Sequence, residues 1–176
     1  MKGDMSAPLA AIVYASGFPI DELMAEVAGR LRQEAVRLGG VVQHNQDDCQ
    51  RGCAAMALED LASGRIFAIS EDRGAGATGC RLDAAGLAAA GGAVASAIDG
   101  TVDLLIINKF GKQEALGQGL RAEIAAGFLS GLPLLTAVRE DMLGAWAEFV
   151  GEAWQRLPPE RAAIEGWALS CLRQPA

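Results

Sequence analysis

Positive charge is scarce in this sequence. Lysine occurs three times, and Lys plus Arg number 15 against 22 acidic residues, a net charge of −7 over 176 residues. That deficit excludes a sequence-blind nucleic-acid binder, which must neutralise phosphates with a basic surface, so any anion must be gripped by a few local groups. Long apolar runs are missing too: none reaches the ~18 residues of a membrane span, and no membrane insertion is expected. The short run Leu9 to Ala15 reads as a first strand rather than a signal peptide, because the Gly and Pro after it introduce a helix pattern. The expected compartment is the cytoplasm. Histidine occurs once and cysteine four times, at Cys49, Cys53, Cys80 and Cys171, which in that compartment points to thiols or metal ligands and away from disulfides. Repeats, long linkers and low-complexity tails are absent apart from an alanine bias, so residues 1–176 are taken as a single domain.

What is present is alternation. Apolar strand-like runs alternate with amphipathic stretches, the pattern of an α/β domain with a mainly parallel sheet. "PLAAIVYA" is the first strand. "PIDELMAEVAGRLRQEAVRL" repeats apolar residues at three and four positions (Leu23, Met24, Val27, Leu31, Ala35, Leu38), as a helix packed on a sheet does, with Gly39 and Gly40 as its stop and "VVQHN" as a second strand. "AAMALEDLASGRIFAIS" reads as a β-hairpin turning at Ala62-Ser63-Gly64-Arg65. A glycine-rich loop, "EDRGAGATGCRLD", leads to an Ala-rich helix from Leu82 to Ala97 opened by Asp83. "VDLLIIN" is a strand covered on both faces, followed by a helix from Gly119 to Leu129, the strand "PLLTAV", a helix from Asp141 to Leu157 carrying Trp146, Phe149, Val150 and Trp154, and a last helix starting at Pro159.

In an open α/β sheet, ligands sit beyond the carboxyl ends of the strands. The first strand-to-helix turn here is "YASGFPIDE". A phosphate loop needs Gly-x-x-x-x-Gly-Lys-Ser/Thr, so that backbone amides wrap the phosphate, the lysine meets its terminal oxygens and the hydroxyl holds magnesium. This turn has Ser16 and Gly17, without the lysine or the hydroxyl at the start of the helix, and Asp21 and Glu22 suit the helix dipole while repelling an anion. A capped helix start is the plainer reading. The later strand ends in Asn108-Lys109, where a nucleotide hydrolase would carry a magnesium-binding carboxylate. Asn cannot neutralise a divalent cation, and Lys109 opposes one.

The stretches "DLLIINKFGKQEALGQGLRAEIAAGFLSGLPLLTAV", "LEDLASGRIFAISEDRGAGATGCRLD" and "IVYASGFPIDELM" resemble a bacterial family of unassigned function. Its members are similar to P-loop nucleoside triphosphatases of the small thermophile and cancer-related type, and some are encoded beside molybdate-transport genes. The resemblance runs from about Leu9 to Trp154. It implies a P-loop NTPase-like three-layer sandwich. In the active enzymes a strand ends in Asp-Glu before Gly-Lys-x-Glu; here Asn108 and Lys109 stand in place of Asp-Glu, while Gly111, Lys112 and Glu114 match. Clamp lysine and metal carboxylate are missing together, so the resemblance implies the fold and not the hydrolysis.

Lys109 and Lys112, with Arg121 nearby, form a candidate positive cluster for a metal-free anion: a phosphate, a nucleotide tail or an oxyanion such as molybdate. The alternative is that these lysines pair with Glu114 and Glu123 as ordinary surface ion pairs. The glycine-rich loop, flanked by Arg73 and Arg81, could converge amides and guanidinium groups on an anion, although a connecting loop needs glycines anyway. His44, Cys49, Cys53 and Cys80 have the ligand types of a zinc site without the tight Cys-x-x-Cys spacing. The tryptophans are expected in the core, with a homodimer or partner contact as the other use. The expected function is binding of a small anion or nucleotide without efficient hydrolysis, linked to molybdenum handling through the resemblance. The alternatives are an NTPase with relocated catalytic groups and a metal- or partner-binding adaptor.

Overall fold

A computed structural model describes residues 8–46, 55–71 and 81–172. Five parallel strands make up most of a seven-stranded sheet: β2 (Leu38–Gln46), β7 (Leu104–Ile107), β8 (Leu134–Arg139), β1 (Leu9–Tyr14) and, at the edge, β9 (Gln155–Leu157), in that spatial order. The hairpin β3 (Ala55–Asp60) and β4 (Ile66–Ala68) extends the sheet beyond β2 in antiparallel sense. A separate two-stranded antiparallel ribbon pairs β5 (Ser70–Glu71) with β6 (Arg81–Leu82).

Alternate residues of β1 face opposite layers, which is why the strand is apolar throughout. Ala10, Ile12 and Tyr14 pack with α1 (Ile20–Gln33) and α6 (Arg161–Leu172) through Met24, Val27, Leu31, Ile164 and Trp167. Leu9 and Ala11 face the other layer, with Val94 of α2 (Ala84–Asp99), Ile124 of α4 (Arg121–Leu129) and Trp146 of α5 (Leu143–Val150). The result is a three-layer α/β sandwich. Asp83 caps α2 by accepting from the amides of Ala85 and Gly86. The hairpin turn is held by Asp60, whose carboxylate takes the Ser63 hydroxyl at 2.6 Å.

Three sequence expectations need correction. Helix α1 ends at Gln33, and Ala35, with φ of 61°, turns the chain; Gly39 and Gly40 do not stop it. They lie inside β2, where a Cβ on Gly40 would stand 1.9 Å from the Ile106 carbonyl oxygen of β7. Glycine there permits close approach between two strands. The expected long helix from Asp141 to Leu157 is divided into a 3₁₀ turn at Glu140–Met142, α5, and the edge strand β9. Gly151, at φ of 74°, ends α5 and frees the chain to return beside β1. Helix α1 also starts without a side-chain cap, because Pro19 stands at its N-cap.

Candidate functional site

The carboxyl ends of β1, β2 and β7 converge on one edge of the sheet, where Asp21 is the hub. Its carboxylate, on the first turn of α1, accepts from the Asn108 amide at 2.7 Å and the Asn45 amide at 2.7 Å. The Lys109 ammonium lies 3.2 Å from each of its two oxygens. Asn108 is buried at 2 % exposure, and its Oδ1 accepts the Gln43 backbone N–H at 3.1 Å. Asn108 therefore ties β7 to β2 with one end of its side chain and to α1 with the other. Burying such an amide is tolerated because both ends are satisfied. Lys109 pairs with Asp21, in place of the Glu114 or Glu123 partnership considered from sequence. Tyr14, at the end of β1, has its phenol pKa pushed up, first by burial and then by the negative charge of Asp21.

Glu114 has a structural use. It accepts the amides of Gly111 at 3.0 Å and Leu120 at 3.1 Å, clamping the loop around the four-residue helix α3 (Lys112–Ala115). Gly119 makes room for it: φ is 61°, and a Cβ would fall 2.3 Å from the Glu114 carboxylate. Arg121 is turned elsewhere. Its guanidinium donates to the Glu114 carbonyl at 2.9 Å and sits 4.4 Å above the Phe149 ring, which stacks on Phe110.

Asn108, Lys109, Gly111, Lys112 and Glu114 thus meet around a cavity of about 230 Å³. Met56, Leu58, Ile69, Leu87 and Leu120 form its apolar side. The Lys112 side chain is exposed at its rim, and among the described residues no carboxylate lies within ion-pair distance of it. Ser16 and Gly17 form an exposed turn outside this cavity, with the Phe18 amide bonded to the Ala15 carbonyl at 3.1 Å. Only residues 15–19 link β1 to α1. That link is shorter than the spacing of a phosphate-wrapping loop, which needs four residues between its glycines and then a lysine.

Magnesium, which an NTPase fold implies, does not fit the donor set seen here. Among the described residues the Asp21 carboxylate at the end of β7 is taken by the Asn45 and Asn108 amides and the Lys109 ammonium, Glu114 is spent on two backbone amides, and the ammonium stands where a cation would. His44 Nε2 is 3.0 Å from Glu59 Oε1. Among the described residues no three His, Cys, Asp or Glu side chains gather as a metal site. Cys49, Cys53, Cys80 and Arg73 lie outside the described residues, and Arg81 is described only as backbone in β6. Cys171 is half-buried on α6, where burial pushes its thiol pKa up. Trp146 is fully buried and Trp167 nearly so. No helix among the described residues is long and apolar enough to cross a membrane.

Sequence reasoning pointed to the end of β7 and missed its partners. Asp21 was read as a helix-dipole residue, and Gln43 and Asn45 were not singled out. No local pattern marks side chains that meet only through the fold.

The parallel strand order and the three layers give a P-loop NTPase-like α/β fold. Its backbone matches the solution structure of a human cancer-related nucleoside triphosphatase with a TM-score of 0.64 and 16 % identity, over 95 % of this chain and 98 % of that one. The chain belongs to the family described as "Protein of unknown function (DUF2478)", which matches residues 9–167. It is also 48 % identical over 162 residues to the molybdenum import ATP-binding protein ModC 2 of Bradyrhizobium diazoefficiens, covering 90 % of this chain. The chain spans 18 % of the length of that relative.

Proposed function

We propose that this domain binds a small anion or nucleotide at the carboxyl edge of its sheet without efficient hydrolysis, as part of molybdenum handling. The observation that carries the reading is the convergence of Asn108, Lys109, Gly111 and Lys112 on one cavity at the end of β7. Lys112 is the ligand's expected first contact. The volume, about 230 Å³, is below the roughly 300–1,000 Å³ of sites for drug-sized ligands, which favours a compact oxyanion, or the phosphate end of a nucleotide, over a wholly enclosed one.

Weak hydrolysis follows from the charges. Phosphoryl transfer rests on a cation clamp and a metal ion positioned against the transferred group. Here the strand end is an amide, the neighbouring lysine is committed to Asp21, and the first turn is too short to wrap a phosphate. The relative named as a molybdenum import ATP-binding protein supports both the nucleotide and the molybdenum side of the reading.

Calorimetric titration with molybdate, inorganic phosphate, ADP and ATP, with and without magnesium, tests it. At least one of these anions should bind, Lys112→Ala should weaken it about tenfold, equivalent to about 1.4 kcal/mol, and phosphate release from ATP should stay at background. Magnesium-dependent turnover abolished by Lys112→Ala would establish an NTPase instead.

A further inference from the structure

We infer that the Asp21 carboxylate is a built-in occupant of an oxyanion site, and that the ligand's anionic group enters by displacing it. The inference rests on the binding function proposed above and locates its inner contact. Three side-chain donors from two strands, the Asn45 amide of β2 and the Asn108 amide and Lys109 ammonium at the end of β7, converge on Asp21 at 2.7, 2.7 and 3.2 Å. Such convergence of two amides and a cation is the donor set a tetrahedral oxyanion takes, with charge-assisted bonds from each. The donors do not come from the strand-to-helix turn of β1, so this is a different pocket from a phosphate loop.

Two features make displacement feasible. Asn108 and Lys109 contact Asp21 and also line the 230 Å³ cavity, so the cavity adjoins the cluster that holds Asp21. Asp21 also stands on the first turn of α1 with 14 % of its side chain exposed, so its carboxylate has a short path to water. A dianion brings more charge to Lys109 and Lys112 than the single carboxylate it replaces. Because Asp21 closes the site, the apparent affinity for any anion is the intrinsic affinity multiplied by the fraction of molecules in which the site is open; the preference for a dianion over a monoanion comes from its stronger attraction to Lys109 and Lys112.

The test compares wild-type protein with Asp21→Asn and Asp21→Ala in calorimetric titrations with inorganic phosphate, molybdate and ADP. Either variant should bind phosphate or molybdate at least tenfold more tightly than wild type, and adding Lys109→Ala should erase the gain. If ADP tightens in parallel, the anion is a nucleotide's phosphate; if only the inorganic ions do, it is a free oxyanion. Should both variants fail to fold, the side-chain amide resonances of Asn45 and Asn108 in wild-type protein must shift on phosphate or molybdate titration; unmoved amides during saturable binding overturn the inference. Wild-type binding that depends on Lys112 with no gain on Asp21 substitution overturns displacement and leaves the proposed function standing. No binding by any form overturns both.

Discussion

Replacing Asn108 by Asp restores an acid at the strand end and so asks directly what the amide does. The new carboxyl keeps the acceptor for the Gln43 amide but faces Asp21 across the present 2.7 Å bond. Two charged oxygens at that separation repel by about 6 kcal/mol at an effective dielectric of about 20. Taking up one shared proton is cheaper. At about 1.4 kcal/mol per pH unit, over the roughly three units between an ordinary Asp pKa and neutrality, the proton costs about 4 kcal/mol at pH 7. Lys109, 3.2 Å from both Asp21 oxygens, offsets part of this, leaving a loss of about 2–4 kcal/mol.

The sign of the pH dependence is fixed. The pair's folded pKa is raised above the unfolded value, so the variant should approach wild-type stability below about pH 4 and lose it as pH rises through the raised folded value. Urea unfolding at acid, intermediate and neutral pH measures this, and added magnesium should recover part of the neutral-pH loss in the variant alone. Asn108→Leu, which strands the Gln43 amide, should instead be destabilised at every pH. A variant Asn108→Asp as stable as wild type at pH 7, or equally destabilised throughout, would refute the reasoning.

Gly40→Ala should cost about 3–5 kcal/mol in the same unfolding assay, because it adds left-handed strain to a Cβ driven into the β7 backbone. Gly29→Ala, in α1 with open space around it, should stabilise by about 0.5–1 kcal/mol, and equal effects at the two glycines would sink the argument. The Asp103 carboxylate is held below its usual pKa by hydrogen bonds from the Arg37 guanidinium and backbone amide. Its contribution is present above the ordinary Asp pKa and lost as pH falls through the depressed one. Asp103→Asn should therefore lower the melting temperature slightly at pH 7, with the two curves converging in strong acid.

The strands of the central sheet were legible because burial on both faces writes itself as nearly continuous apolar runs, unbroken in Leu104–Ile107 and interrupted only by Thr136 in residues 134–138. Asp83 and the hairpin turn at Ala62-Ser63-Gly64-Arg65 were legible because what fixes them is local, although the Asp60 carboxylate that holds the turn was not singled out. What failed was long-range. Gly39 and Gly40 looked like a helix stop, and only the fold gives them their reason: a Cβ on Gly40 would strike the β7 backbone, and one on Gly39 would come within 2.7 Å of Ala97 on α2. Gln155–Leu157 continued a helical pattern until Gly151 turned the chain beside β1. In the candidate site, the strand end Asn108-Lys109 was marked by its departure from an acidic pattern, while Asp21 lies 87 positions away from Asn108 in sequence. Lys112 and Glu114 carried the same motif and have different uses, one at the cavity rim and one clamping backbone.

Both rims of the seven-stranded sheet are very short, Ile66–Ala68 on one side and Gln155–Leu157 on the other, the latter followed at once by two prolines. A foreign strand docking on either would find only a few unpaired backbone groups to copy, and brevity of this kind is how natural sheets discourage runaway zipping between molecules. Edge-to-edge pairing of two such sheets would thus gain few hydrogen bonds, whatever other surfaces the domain uses.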